Sequence, residues 1–355
     1  MGRESWTSQR IALRRHPDGR VSPTDFAVED QPIPQPGDGE FLVRILAVSV
    51  DPMLRIFIDP APMAGAMPPM PVGSTVPGAA VGEIVETRHS DFAIGDIVEG
   101  RFGWQHFALS NGAGVNRVDA RLGAPENALA IGGLPGFTAY AGLEVADLKP
   151  GQTILVSGAA GAVGSAVGAL VKARGIRAVG IAGGEEKRRY LLDNGYDAVA
   201  DRLAPDFKEQ LAQALPQGAN VYFDNVGGPM LADILPVMAP GGLILVCGLM
   251  AGYQGDEQTG RDNLPALLRA IMFKGLRIQA FSQYGKDALR PAFDDEVAEL
   301  VGSGKVKPQL HIEQGLERLP HALAGLFERS VPGKVVVRVA EPSDAVPTKI
   351  FEESE

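Results

Sequence analysis

A strand, a turn of small residues and a helix follow one another in residues 153–175, and this segment constrains the fold of the chain most strongly. It reads TILVSGAAGAVGSAVGALVKARG. Its first four residues form a short, mainly apolar run that predicts a buried parallel strand. The Ala, Val and Leu residues after the turn predict a helix that ends near Lys172, Arg174 and Gly175. A second apolar run at residues 177–182 predicts the next strand, so the segment forms a strand–helix–strand unit.

Three small residues in the turn match the dinucleotide-binding fingerprint G-x-G-x-x-G. Gly161 and Gly164 occupy its second and third glycine positions, and Ala159 stands at the first. A backbone without side chains lets a pyrophosphate approach the helix N-terminus, where free N–H groups and the helix dipole favour an anion. Gly164 also allows the helix to lie close to the strand. The alternative is merely a tight strand–helix turn, but the strands on both sides of the motif favour the nucleotide site.

Segments that alternate between apolar strands and helices extend from residue 126 to residue 307. Strands are predicted at residues 154–156, 178–182, 197–200, 221–226, 243–247 and 277–281. Helices are predicted at residues 161–174, 185–194, 205–215, 230–238 and 262–273. This alternation predicts an α/β fold with a doubly wound parallel sheet of the Rossmann type. Ligands of such sheets bind at the carboxyl ends of the strands.

The rest of the chain predicts a second, β-rich domain. Strands are expected at residues 40–50, 82–86 and 96–99, and residues 59–77 form a long loop rich in Pro, Met and Gly. A strand at residues 334–339 returns to this domain, and residues 341–355 are expected to be a mobile terminus. The predicted division is therefore residues 1–125 with 308–355 in one domain and residues 126–307 in the other.

Composition excludes several classes of partner. The 355 residues carry a net charge of −10, which argues against nucleic acid and against an anionic membrane surface. No segment has the apolar length of a membrane span, and the N-terminus has no apolar signal core. Cys247 is the single cysteine, so an intrachain disulfide is excluded. A cytoplasmic location is the expectation that follows.

The tip of the second strand indicates which nicotinamide cofactor is bound. NAD enzymes place a carboxylate there to bond the ribose 2′-hydroxyl, whereas this chain has Gly183. Lys187 follows and would attract a 2′-phosphate, so the sequence predicts NADP(H). Arg188 and Arg189 are better explained as the solvated face of a helix that begins near Glu185.

No metal site is expected, because one cysteine and five scattered histidines cannot supply the usual zinc ligands. Polar and small residues do follow two further strands. Asn225 lies at the end of the fourth strand, and Cys247, Gly248 and Tyr253 lie beyond the fifth. Tyr253 is a candidate hydrogen-bond donor to a substrate oxygen, although an ordinary interface tyrosine explains it equally well.

The motifs together resemble the zinc-independent medium-chain dehydrogenases/reductases, within the branch of the prostaglandin reductases, plant alkenal double-bond reductases and bacterial curcumin reductases. The resemblance spans nearly the whole chain. It is carried by the fingerprint and by the segments Val50-Asp51-Pro52 with Arg55, Val81-Gly82-Glu83-Ile84-Val85-Glu86, Gly103-Trp104-Gln105, Gly136-Phe137-Thr138-Ala139-Tyr140, Tyr222-Phe223-Asp224-Asn225-Val226-Gly227-Gly228, Cys247-Gly248 and Gly333-Lys334-Val335-Val336-Val337.

This resemblance implies a GroES-like β-rich domain beside the Rossmann domain, with the active site in the cleft between them. It implies reduction of the carbon–carbon double bond of α,β-unsaturated ketones or aldehydes by NADPH, and a homodimer joined through the edge strand at residues 277–281. The candidate donors to the enolate that forms are Tyr253, the predicted catalytic residue, and the nicotinamide ribose hydroxyl. The cofactor-binding residues that it implies are Gly161, Ala162, Val163, Gly164, Lys187, Arg202, Asn225, Cys247, Gly248, Tyr253 and Phe281. The substrate pocket that it implies contains Met53, Tyr253 and Phe281.

The sequence departs from the family pattern at four positions. Met53 and Phe273 stand where some relatives carry tyrosine, Arg202 replaces a tyrosine near the 2′-phosphate, and Val331 replaces an asparagine. These changes bear on the substrate rather than on the fold. Two other functions stay open: a quinone oxidoreductase of the same superfamily, and a non-catalytic NADPH-binding protein with a structural or sensor role.

Overall fold

The computed structural model describes residues 7–62, 67–254, 264–328 and 332–341. The chain divides into two compact units, which are treated separately below. The first unit comprises Met1–Leu129, Leu310–Arg329 and Val335–Glu355, and the second comprises Ala130–Gln309 and Ser330–Lys334. Two features noted in the sequence, Val331 and the terminal segment 342–355, lie outside the described residues.

The described residues form fifteen strands and nine α-helices. The strands are β1 (Thr7–Leu13), β2 (Phe26–Pro32), β3 (Phe41–Ser49), β4 (Ala80–Thr87), β5 (Ile97–Gly100), β6 (Phe107–Ser110), β7 (Asn116–Arg117), β8 (Thr153–Val156), β9 (Arg177–Ala182), β10 (Ala198–Asp201), β11 (Ala219–Asp224), β12 (Met238–Val246), β13 (Arg277–Ala280), β14 (Leu310–Gln314) and β15 (Lys334–Arg338). The helices are α1 (Leu54–Phe57), α2 (Leu134–Ala146), α3 (Ala162–Ala173), α4 (Glu185–Asp193), α5 (Phe207–Ala214), α6 (Leu231–Ile234), α7 (Leu264–Lys274), α8 (Arg290–Gly302) and α9 (Leu319–Leu326).

The first unit is built from antiparallel strands. One sheet has the order β14-β15-β3-β4-β5-β7, with β6 also paired to β3, and β1 and β2 form a separate antiparallel pair. Eight of the nine residues of β3 are buried, so this strand is covered on both faces. Its nearly continuous apolar sequence is the pattern that such burial requires. Phe41, Ile45 and Trp104 lie fully buried in the core of this unit.

The second unit contains the predicted six-stranded parallel sheet, in the order β10-β9-β8-β11-β12-β13. Every pairing in it is parallel. The first strand in sequence, β8, lies in the interior, because β9 and β10 extend the sheet on one side and β11 to β13 extend it on the other. The strand order therefore reverses between β8 and β11, which is where open α/β sheets bind their ligands. This arrangement confirms the doubly wound sheet.

Several element boundaries differ from the prediction. The predicted helix at residues 230–238 contains α6 of only four residues, flanked by 3-10 turns at Gly228–Met230 and Leu235–Val237. Pro229 and Pro236 account for this, since proline lacks an N–H and disfavours helical geometry at the preceding residue. The predicted helix at residues 262–273 is Leu264–Lys274, and residues 262 and 263 lie outside the described part of the chain.

Candidate active site at the carboxyl ends of the parallel strands

The turn between β8 and α3 presents backbone rather than side chains. Gly158 has φ 57° and accepts a hydrogen bond at its carbonyl from the N–H of Gly161, with an N···O distance of 2.9 Å. Gly161 precedes α3 with extended backbone, and no side chain caps the helix start. The first N–H groups of α3 are therefore available to an anion. The next residues, Ala162 and Val163, are half-buried at the same end of the helix.

The two fingerprint glycines have different surroundings and therefore different roles. A Cβ atom on Gly164 would lie 2.5 Å from the carbonyl oxygen of Gly158 and 2.6 Å from the Cα of Ala159, so this glycine allows α3 to contact the turn. A Cβ on Gly161 would meet only the Gly158 oxygen, at 3.2 Å, and Gly161 is exposed. The space beside Gly161 is thus open, as a site for a dinucleotide pyrophosphate requires.

Arg202 lies beside Gly183 at two adjacent strand ends, and Lys187 lies in the first turn of α4. Ala182 pairs with Asp201 in the sheet register, so Gly183 and Arg202 follow at the same edge. A Cβ on Gly183 would lie 3.4 Å from Nε of Arg202. Burial lowers the pKa of Lys187, the positive charge of Arg202 lowers it further, and the charge of Glu186 raises it. This donor set fits a 2′-phosphate, since the charge of that group would offset the repulsion between the two cations.

Most of the other charged groups near this strand end contact partners of their own. Arg188 and Arg189 lie within 3.7 and 3.6 Å of the Glu185 carboxylate, and both are exposed on the helix surface. Asp201 accepts hydrogen bonds at Oδ1 from the N–H groups of Gly184 and Leu203. Among the residues that the structure covers, Arg202 forms no ion pair. Arg202 is exposed as well, but unlike Arg188 and Arg189 it has no carboxylate partner among those residues.

A buried carboxylate organises the ends of β8 and β11. Val156 pairs with Phe223, so Ser157 and Asp224 follow at the same level. Oδ1 of Asp224 accepts hydrogen bonds from Ser157 Oγ at 2.8 Å and Tyr222 Oη at 3.0 Å. It also accepts from the backbone N–H groups of Val226 and Gly227, at 3.0 and 2.9 Å. Asp224 therefore fixes the turn that follows β11.

Asn225 lies in that turn and its side chain is oriented by Ser157. Its Nδ2 donates to the Ser157 carbonyl at 2.7 Å, and its backbone N–H donates to Ser157 Oγ at 2.9 Å. The backbone N–H groups of Cys247 and Gly248 donate to the carbonyl of Asp224. The ends of β8, β11 and β12 are thereby joined, and Asn225, Cys247 and Gly248 come together.

Tyr253 returns toward the same group of residues. Its hydroxyl oxygen accepts a hydrogen bond from the N–H of Leu249 at 3.2 Å and lies 3.6 Å from the position of a Cβ on Gly248. Because the oxygen accepts from the backbone, its own proton can be donated elsewhere. Cys247 is not a nucleophile here, since burial and the charge of Asp224 raise the pKa of its thiol to about 12.

Phe281 and Met53 have other surroundings. Phe281 follows β13, and its ring packs edge-on against Phe223 at a centroid distance of 5.7 Å. Its ring tip would be 2.7 Å from a Cβ on Gly142 of α2. Met53 belongs to the first unit, where it precedes α1. The contacts of Phe281 are those of a packing residue, and its role at the cofactor stays a prediction, as does that of Met53.

Sequence reasoning missed two polar residues of this site, Ser157 and Tyr222. Each touches the Asp224 carboxylate, and both are fully buried. The available signal was a polar side chain immediately after, or within, an otherwise apolar strand. A further tyrosine, Tyr196, donates its hydroxyl to the carbonyl of Gly164 at 2.6 Å and holds α3 against the sheet.

A cavity of about 470 Å³ lies along the outer face of α3. Its lining includes Ala162, Ser165, Lys172 and Tyr190. Of the predicted cofactor residues, only Ala162 lines it. The cavity and the carboxyl-edge site are therefore different surfaces of the second unit.

Two searches of the described residues bear on metals and membranes. In that part of the chain, no group of three or more His, Cys, Asp or Glu side chains is placed to hold a metal ion. None of the helices described there has both the length and the apolar character that crossing a bilayer requires.

A β-rich unit together with a parallel nucleotide-binding sheet defines a class of oxidoreductases, and comparison with known proteins identifies the family. Residues 9–118 match the family described as the N-terminal domain of oxidoreductase, and residues 162–299 match the family described as zinc-binding dehydrogenase. The chain is 36% identical to NADPH-dependent curcumin reductase of Escherichia coli K12, covering 96% of this chain and 99% of that protein. It is 34% identical to prostaglandin reductase 1 of Bos taurus, covering 94% and 98%.

A solved structure agrees with these matches. The crystal structure of CurA from Vibrio vulnificus in complex with NADPH is similar, with a TM-score of 0.87 and 34% identity over 94% of this chain and 100% of that chain. The chain therefore belongs to the medium-chain dehydrogenase/reductase superfamily, in the branch of the prostaglandin and curcumin reductases. It is an oxidoreductase, and the resemblance drawn from its motifs is confirmed.

Proposed function

We propose that this protein uses NADPH to reduce the carbon–carbon double bond of α,β-unsaturated ketones or aldehydes. The observation that carries the proposal is the position of Arg202 beside Gly183, at the strand end where an NAD enzyme carries a carboxylate, with Lys187 in the first turn of the helix that follows. The type of reaction is supported by the relatives, which are named as curcumin and prostaglandin reductases.

The second unit supplies the residues that would hold the cofactor. The N–H groups at the start of α3, beside Gly161, would bind the pyrophosphate, and Lys187 and Arg202 would bind the 2′-phosphate. Asn225, Gly248 and Tyr253 would line the nicotinamide. NADPH, when bound, supplies the hydride.

Tyr253 is the residue proposed to act on the substrate. An enone that gains a hydride at its β-carbon becomes an enolate, whose oxygen carries negative charge. A donor held toward that oxygen contributes about 10²–10³ in rate. The hydrogen bond from Leu249 N–H orients the Tyr253 hydroxyl, so its proton is directed away from the backbone. Water or Tyr253 then supplies a proton to the α-carbon, which completes the addition of two hydrogens across the double bond.

A substrate screen tests this function against the two others that the sequence leaves open. Oxidation of NADPH would be followed with enals, enones and quinones at matched concentrations. Turnover of enones and enals, with the saturated product recovered, supports the proposal. Turnover of quinones alone would assign a quinone oxidoreductase instead. Tight NADPH binding with no turnover of any acceptor would assign a binding protein.

A further inference from the structure

The carboxylate of Asp224 is buried without a cationic partner. Its residue is 4% exposed, and its four hydrogen-bond donors are the hydroxyls of Ser157 and Tyr222 and the N–H groups of Val226 and Gly227. All four donors are neutral. Within the described ranges, no Lys, Arg or His forms an ion pair with Asp224. The four hydrogen bonds therefore bring no positive charge to offset the negative charge of the carboxylate.

Asp224 adjoins the residues proposed to line the nicotinamide. Asn225 is the next residue, and the backbone carbonyl of Asp224 accepts from the N–H groups of Cys247 at 2.8 Å and Gly248 at 3.0 Å. The negative charge of Asp224 affects two neighbouring groups. After burial, it is the second cause that raises the pKa of the Cys247 thiol, and it also raises the pKa of Tyr222.

Packing alone does not explain a charged side chain at this place. A neutral asparagine has the same shape and would offer a carbonyl oxygen to the same four donors. Burying a charge without a counter-ion opposes folding. The negative charge therefore calls for a role that a neutral acceptor would not serve.

We propose that Asp224 is a positioning residue whose negative charge also stabilises the oxidised cofactor relative to the reduced one. The nicotinamide ring is neutral in NADPH and carries one positive charge in NADP⁺. A fixed negative charge behind the ring favours the oxidised form and so favours hydride donation. This inference rests on the proposed function, because it requires the nicotinamide to bind beside Asn225 and Gly248.

Binding measurements with both forms of the cofactor test the proposal. We expect Asp224→Asn to raise the ratio of the dissociation constants, Kd for NADP⁺ over Kd for NADPH, on the order of tenfold. That change corresponds to a rise of about 30 mV in the reduction potential of the bound couple. Equal weakening of both forms would overturn the proposal and leave Asp224 a structural residue.

Tyr222→Phe gives an independent test that keeps the charge. It removes one hydroxyl dipole that partly offsets the carboxylate, so the same ratio should fall, by about twofold. This shift is opposite in sign to that of Asp224→Asn. A rise in the ratio, or no change, would count against the proposal even if Asp224→Asn failed to fold.

Adenosine 2′,5′-bisphosphate separates this proposal from the proposed function, because it contacts only the adenosine end of the site. Wild-type protein should bind it and both nicotinamide nucleotides, and Asp224→Asn should bind it with unchanged affinity. Failure of the wild type to bind NADPH would overturn the proposed function together with this inference. Normal wild-type binding with an unmoved ratio in both variants would overturn the inference alone.

Discussion

Lys187 and Arg202 are the residues on which cofactor choice depends. Arg202 follows β10 and lies beside Gly183, Lys187 lies in the first turn of α4, and burial together with the charge of Arg202 lowers the pKa of Lys187. A 2′-phosphate would relieve that repulsion. We expect Lys187→Ala to lower kcat/KM for NADPH about 10- to 100-fold while leaving the weaker NADH reaction nearly unchanged. Steady-state kinetics with both cofactors check this.

Arg189→Ala is the matched control for that experiment. Arg189 lies on the same helix, α4, but its partner is Glu185 and its side chain is exposed. The Arg189→Ala variant should therefore keep the preference for NADPH. NADH turnover equal to that of NADPH in the wild type, or an unaltered preference in Lys187→Ala, would contradict the assignment.

Tyr253 is the second residue on which the account depends. Tyr253→Phe keeps the ring and removes the hydroxyl, so we expect NADPH affinity to change little. The kcat on a good enone should fall, because the donor acts mainly as the enolate forms. We expect a loss of about 10- to 100-fold, below the 10²–10³ of a full oxyanion-hole deletion, because the ribose hydroxyl of the cofactor is a second donor. Stopped-flow measurement of hydride transfer and fluorescence titration of NADPH separate the two effects. If Tyr253→Phe keeps the wild-type kcat while Tyr253→Ala loses NADPH binding, the ring of Tyr253 only packs against the cofactor and its hydroxyl has no catalytic role.

At the scale of elements, the two glycines in the turn between β8 and α3 have separate roles, one in folding and one in cofactor binding. Gly164→Ala would force a Cβ against the Gly158 oxygen at 2.5 Å, so we expect a loss of about 1–3 kcal/mol in the free energy of unfolding. Gly161→Ala adds a Cβ to extended backbone with one neighbour at 3.2 Å. It should fold normally but block the approach of the pyrophosphate.

Thermal unfolding and NADPH titration of the two variants, measured in parallel, test this separation. Gly164→Ala should lower Tm by several degrees, on the order of 2–4 °C per kcal/mol for a domain of this size. Gly161→Ala should keep the wild-type Tm and lose at least about tenfold in NADPH affinity. Equal effects of both variants on Tm would show that the two glycines have the same role.

Local pattern was enough to predict the sheet but not the contacts at its edge. Six apolar segments and one fingerprint predicted the parallel sheet, since each strand and each turn is encoded by neighbouring residues. The contact of Ser157 with Asp224 joins residues 67 positions apart, and it depends on which strands are neighbours. The position of Arg202 beside Gly183 likewise depends on the register of β9 and β10. The helix predicted at residues 230–238 is too long, because Pro229 and Pro236 limit α6 to four residues.

At the scale of the whole molecule, one surface of the second unit is apolar and carries a sheet edge with which no other described strand pairs. β13 is the last strand of the sheet, and all four of its residues are exposed. Exposed apolar side chains lie on it and on the adjoining α7: Leu264, Leu268, Met272, Phe273 and Ile278. An edge of this kind favours pairing with another chain, and we expect a second copy related by a twofold axis.

Light scattering at micromolar concentration should therefore give the mass of a homodimer. Phe273 is 76% exposed and Met272 is 69% exposed, so charges there should disrupt an interface without disturbing the core. We expect Met272→Glu with Phe273→Glu to yield a folded monomer, whereas Leu203→Glu, at an exposed leucine distant in sequence, should stay dimeric. A monomeric wild type would refute the expectation.

The most direct test of the central claim is to follow the hydride into the product. Wild-type protein would be given an enone and NADPH deuterated at the reactive nicotinamide carbon, and the product would be analysed by mass spectrometry and NMR. The account predicts a saturated ketone with deuterium at the β-carbon and hydrogen from solvent at the α-carbon. Deuterium on the carbonyl carbon, giving an unsaturated alcohol, would contradict it, as would recovery of unreacted enone.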